Sequence, residues 1–123
     1  MEQQIKFRDP KHEEGFNDFM TRAKVNEWDK ERISLFCILA LFEDIRSNIT
    51  TLYNFEDNCV KFEGLNKGWQ TGGTVKATKL AFNLFTNFRG QKREKEDYSP
   101  LELFSVEIDY RNYMLMAVQI RFS

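Results

Sequence analysis

Histidine occurs once, at His12, and cysteine twice, at Cys37 and Cys59, so the chain cannot assemble the paired histidines or the four-thiolate set of a zinc site. Two cysteines and no secretory leader pattern at the amino end point to free thiols in a reducing compartment, so the expected location is cytoplasmic. Neither charge sign is in excess. Lys and Arg number 18 against 19 Asp and Glu, a formal charge of -1, which removes the whole-molecule field that draws proteins nonspecifically to nucleic acid. The longest apolar run, at 35–42, is far short of the ~20 residues that cross a bilayer, so no membrane partner is expected.

The catalytic signatures are missing as well: there is no Walker loop, dinucleotide fingerprint or hydrolase nucleophile elbow. His12 falls in the first turn of a helix and reads as an exposed residue. Cys37 in an apolar run and Cys59 beside Val60 read as small buried hydrophobes, not activated thiolates. Acid pairs such as Glu13–Glu14 and Glu43–Asp44 are uninformative among 19 acids, because catalysis needs their pKa values driven apart by environment. The expectation is a protein that is not an enzyme and holds no metal and no cofactor.

What is present is phenylalanine, 12 of them in 123 residues, against two prolines and six glycines. A chain of this length buries roughly two thirds of its unfolded surface in one core, and aromatic mass at helical spacing fills it. One domain over 1–123 follows. Asp9 and Pro10 open a helix over 10–23, with Phe16, Phe19, Met20 and Ala23 on one stripe. Asn26 caps a second, over 27–48, whose stripe runs through Leu35, Ile38, Leu39, Phe42, Ile45 and Ile49. A long, irregular connection at 54–73 carries most of the glycines and has the length of a functional loop. A third helix over 75–88, capped by Thr74 and stopped at Gly90, places Ala77, Leu80, Ala81, Leu84, Phe85 and Phe88 on one face. The mixed-charge stretch 89–97 reads as a solvated loop, and Ser99-Pro100-Leu101-Glu102 as the start of a short helix over 100–104.

Two periods compete at the carboxyl end. Phe104, Val106, Ile108 and Tyr110, then Met114, Met116, Val118, Ile120 and Phe122, alternate as a β-hairpin over 104–122 would. Tyr110, Tyr113, Met114 and Ala117 equally make a helical stripe, with Asn112 capping a helix over 113–121. The fold expected is therefore mainly α, a bundle of about five helices, or else α+β with the terminal hairpin.

The sharpest local feature is Trp69-Gln70-Thr71-Gly72-Gly73-Thr74 with Lys76 and Lys79 just beyond. Glycines at a helix start let free amides approach an anion, and lysines there are electrostatically misplaced unless an anion joins them. A phosphate ligand, a nucleic-acid backbone or an acidic protein could supply it. The competing reading has Trp69 anchoring the loop on the core, with the lysines merely solvated.

The block Leu65-Asn66-Lys67-Gly68-Trp69-Gln70-Thr71-Gly72, preceded by Phe55, Glu56 and Cys59 and followed by Lys76 through Phe85, resembles a family of small uncharacterised proteins of Gram-positive bacteria and their plasmids, phages and conjugative elements. The resemblance extends to Phe7, Asp9, His12 and Phe16, and to Tyr113, Ala117, Ile120, Arg121 and Phe122. It implies a terminal helix, although the family often has Pro where Asn112 stands here, which keeps the hairpin as the alternative. It carries no activity and no catalytic residues. Its context implies, by association, a module that binds a host protein, such as a stoichiometric inhibitor of a defence complex of the CRISPR-nuclease kind. The alternative is a phosphate or nucleic-acid binder through residues 68–79.

Overall fold

A computed structural model of the chain describes residues 5–90 and 97–123. Six α-helices lie among them: α1 (Pro10–Arg22), α2 (Lys30–Leu39), α3 (Glu43–Ser47), α4 (Gly72–Thr86), α5 (Pro100–Leu103) and α6 (Ile108–Arg121). A two-stranded antiparallel ribbon, β1 (Tyr53–Asn54) with β2 (Cys59–Val60), pairs Tyr53 with Val60. The fold is mainly α, and 104–122 holds α5 and α6 in place of a hairpin.

Helix α1 starts as its residues dictate: the Asp9 carboxylate accepts from the His12 amide at 2.8 Å and Pro10 takes the first helical position. Phe16 and Phe19 are buried from it. The second expected helix is two. Asp29, not Asn26, caps α2, while the Asn26 side chain accepts from the Trp28 amide in the preceding turn. Ser34 through Leu39 are all buried, so α2 has no polar face and runs through the centre, touching α1, α4 and α6. The helix ends before Phe42, which is extended (φ -104°, ψ 136°), and α3 then turns the chain so that Ile45 points back into the core. Arg46 donates to the Ala40 carbonyl at 2.7 Å, satisfying an acceptor freed by that break.

The connection at 54–73 is ordered instead of irregular. Asn54 accepts from the amides of Glu56 and Asp57, Asn58 takes a left-handed φ of 58°, and the ribbon leads into a 3-10 turn at Phe62–Asn66. Cys59 is exposed on β2, contrary to its reading as a buried hydrophobe, because its neighbour Val60 takes the inward side of the strand. Cys37 is fully buried, and that burial pushes its thiol pKa up to about 12. In α4, Ala77 and Ala81 are buried with no exposure, and their small side chains let α4 lie against α2. At the far end of the chain, Ser99 caps α5 by accepting from the Glu102 amide. Arg111 donates to the carbonyls of Phe104 and Val106, at 2.8 and 2.7 Å, and so closes the α5–α6 corner. Met114, Ala117 and Ile120 carry the buried face of α6. Most of the charge run lies outside the described residues, at 91–96.

Candidate interaction surface

The residues singled out at the α4 start are brought together, largely by one another. Thr71 is the helix cap: its hydroxyl accepts from the Thr74 amide at 3.2 Å, and the Thr74 hydroxyl accepts from the Thr71 amide at 2.8 Å. The helix therefore begins at Gly72, and Thr74 sits in its third position as the reciprocal member of a capping box and not as the cap. Thr74 is buried and also donates to the Gln70 side-chain oxygen at 2.7 Å, while Gln70 donates to the Gly64 carbonyl at 3.1 Å. Trp69 is half-buried, its indole N–H donating to the Thr51 hydroxyl at 3.2 Å, so it ties this corner to the turn after α3. The helix stops at Asn87 in a left-handed conformation (φ 62°), three residues before Gly90. Thr71→Ala is expected to lower stability by about 1 kcal/mol, read as a shift of the urea midpoint at constant slope.

Both lysines lean towards the α5 segment. Lys76 donates to the Ser105 carbonyl at 3.0 Å, and the Lys79 ammonium lies 5.2 Å from the centre of the Tyr98 ring. Gly72 and Gly73 have open space where a Cβ would stand, and their amides donate to no acceptor among the described residues. Phe82, on the same helix as the two lysines, is buried against Phe62 and Phe88.

His12 is fully buried, not exposed, since the α1 start is folded inward against α2. Its Nδ1 accepts from the Arg8 amide at 3.0 Å, so Nε2 carries the hydrogen and donates to the Cys37 carbonyl at 2.8 Å. The rings of Phe7 and Tyr113 meet it edge-on at 5.2 and 6.0 Å. Burial lowers its pKa below the ordinary 6.5, outweighing the Cys37 carbonyl and the Asp9 charge. It is a neutral strut joining α1, α2 and α6.

Large apolar side chains also reach the surface of the described residues. Among the described residues, the large apolar side chains left exposed are Trp28 (67%), Leu101 (87%), Ile108 (65%), Leu115 (44%) and Phe122 (79%). Four of these five fall at intervals of seven residues from Leu101 onward. Seven residues are close to two helical turns, so Ile108, Leu115 and Phe122 form a line along the outer side of α6, with half-buried Val118 beside it. Exposed Asn112 and Gln119 lie on the same side between them, so the outward side of α6 alternates apolar and amide side chains. Lys30 donates to the Ser123 carbonyl, which brings the Trp28 turn towards the Phe122 end. At the other end, Leu101 and Arg111 line a shallow cleft with Pro100 and Phe104.

The Ile108 end carries Glu107 and the ion pair of Asp109 with Arg8 at 2.6 Å, while beyond Leu115 the Arg121 guanidinium donates to the Leu84 carbonyl at 2.8 Å. Between Asp109 and Arg121 the one charged residue is Arg111, already bound to carbonyls. The seven-residue interval was present in the sequence. It is hidden by the stronger alternation of period two through the same segment, which draws attention to a hairpin.

A model of a family of unknown function (DUF6075) matches residues 2–123. No curated protein and no solved structure matches the chain.

Proposed function

Because the chain belongs to this family of unknown function, we propose that it is a non-enzymatic protein-interaction module whose contact surface is the outer face of α5 and α6. The observation that carries this reading is the row Ile108, Leu115 and Phe122, exposed on the outward side of α6, together with Leu101 exposed on α5. Soluble domains seldom leave such a line uncovered unless something binds it. The setting we propose is the cytoplasm of a Gram-positive cell and a mobile element or phage, on the strength of the resemblance of the 55–85 block. The partner proposed is a host protein, with a defence complex such as a CRISPR nuclease the first candidate. Action would be stoichiometric, by occupation of a surface.

The test is a tagged pull-down from lysate of a Gram-positive host with active defence systems, with and without nuclease treatment. One protein should be retained after nuclease treatment at a one-to-one ratio, and Leu115→Glu should lose it. Turnover of a target by substoichiometric amounts of the chain would overturn the reading.

Phosphate or nucleic-acid binding through 68–79 is the second reading, favoured by the free Gly72 and Gly73 amides at the positive end of α4. The engagement of Lys76 and Lys79 with Ser105 and Tyr98 supports it less. The double variant Lys76→Glu/Lys79→Glu is expected to leave the pull-down unchanged. Capture that vanishes with nuclease treatment and with this variant would transfer the function to that loop.

A further inference from the structure

We infer that residues 5–8 form an acid-released strap, closed while the His12 ring accepts from the Arg8 amide and lifted when the ring gains a proton at that nitrogen. The strap lies between α1 and α6. Its Phe7 ring stands 5.4 Å from Phe16 of α1, and the Lys6 amide donates to Met116 Sδ of α6 at 3.4 Å. The Arg8 guanidinium meets Asp109 at 2.6 Å and lies 4.6 Å from the centre of the Tyr110 ring, both also on α6. Ile5 and Phe7 are half-buried against the core, and Lys6 is exposed.

A second proton on the ring has one place to go. Nε2 already donates to the Cys37 carbonyl, so the proton enters at Nδ1, 3.0 Å from the Arg8 nitrogen. Two N–H groups then face each other. The neighbouring Asp9 carboxylate is engaged at both oxygens, one by the His12 amide at 2.8 Å and the other by the Arg8 guanidinium at 2.6 Å. Of the other groups around the ring, Arg46 of α3 adds a further positive charge, and Tyr113 of α6 presents its ring edge-on at 6.0 Å.

The piece that yields at least cost is the strap. Helix α1 is fastened by buried Phe16 and Phe19, and α2 is buried from Ser34 to Leu39. The strap has two half-buried apolar side chains, a weak bond to sulfur and a partly exposed ion pair, and such segments open at far lower free energy than a helical core. Lifting it returns Nδ1 to water and uncovers Phe16 and the Met116 side of α6. Acid therefore opens the seam between α1 and α6 before the rest of the fold gives way.

Amide exchange followed by NMR between about pH 7.5 and about pH 5, a window that brackets the ordinary histidine value, tests this on the full chain. The reporters are the Lys6 and Arg8 amides, bonded to Met116 and His12, with the amides of 34–39 standing for the core. After correction for the intrinsic rate, protection of Lys6 and Arg8 should fall by up to about tenfold for each pH unit below 6.5. Low urea should speed exchange at 34–39 and leave Lys6 and Arg8 unchanged, because a local opening exposes little surface. His12→Gln should abolish the pH slope of the two strap amides. Equal wild-type protection across the pH range, a urea dependence at Lys6 and Arg8 matching that of 34–39, or a slope retained in His12→Gln would each overturn the inference. The first two outcomes are read on the wild-type chain, so the test stands even if the variant does not fold.

Discussion

Replacing Gly64 with Ala is expected to destabilise the fold by about 3 kcal/mol, the upper part of the range for overpacking, and to lower the melting temperature by roughly 10 °C. Gly64 lies in the 3-10 turn at Phe62–Asn66 and is buried. A Cβ there would stand 2.3 Å from the Thr51 carbonyl oxygen and 2.4 Å from a Leu52 methyl. The first of these is backbone and cannot rotate away. Relief requires moving the turn, and the turn holds the α4 start, because the Gly64 carbonyl accepts from Gln70 and the Thr51 hydroxyl accepts from Trp69. The clash should therefore be felt twice, in packing and in the loss of these ties. Gly68→Ala is the matched control: nothing lies within 4 Å of its Cβ position, and its stability should stay within about 0.5 kcal/mol of wild type. Equal melting temperatures for the two variants would show that the turn does not approach Thr51 as described.

Acid should unfold the chain through His12 before it reaches the carboxylates. The folded protein disfavours the charged imidazole, with its pKa below 6.5, because burial strips the ring of water; protonating Nδ1 would also turn an acceptor facing the Arg8 amide into a second donor. Arg46 and Arg8 add a smaller repulsion to that charge, while Asp9 opposes it. The unfolded chain takes up the proton near pH 6.5 and the folded chain takes it up lower. The contribution is therefore fully present above 6.5 and is lost as pH falls below it, by at most about 1.4 kcal/mol per pH unit. Asp9, whose pKa is lowered chiefly by the His12 amide and then by Arg8, weakens the fold only below its ordinary 3.8. With one histidine in the chain, the slope of stability between pH 6.5 and the carboxylate range belongs to His12. Urea titrations across that window should show it. His12→Gln cannot titrate and should be flat there. His12→Ala should cost about 3 kcal/mol at pH 8, for a cavity at the meeting of α1, α2 and α6 and two orphaned backbone groups. A wild-type slope of zero would mean that the histidine is reached by solvent.

The parts of the fold legible in the sequence are those whose causes are local. Asp9-Pro10 and Ser99-Pro100 start their helices because cap, proline and dipole act within four residues. Burial of 35–42 follows from composition alone. At the α4 start, Thr71 and Thr74 were both in view, but which of them caps depends on the hydroxyl pair closing in both directions, with Gln70 behind it. The break of 27–48 at Ala40–Phe42 was not legible, since the stripe continues across it. Arg46 bonded to Ala40 and Ile45 turned inward are long-range reasons to bend. Likewise, a helical position for His12 is set by Asp9, but its burial is set by the Cys37 carbonyl 25 residues away.

The amino acids by themselves determined that this is a mainly helical domain with an aromatic core, and where several helices begin, because hydrophobic period, capping and turn chemistry need only near neighbours. The tertiary structure alone decided between helix and hairpin at 104–122, since the same residues satisfy both periods and the choice falls to the surface α2 offers Met114, Ala117 and Ile120. It also decided that Ile108, Leu115 and Phe122 face outward. A helix can turn only one side to a given neighbour, so once the inner side is taken by α2, the apolar residues that remain on the outer side are left to solvent.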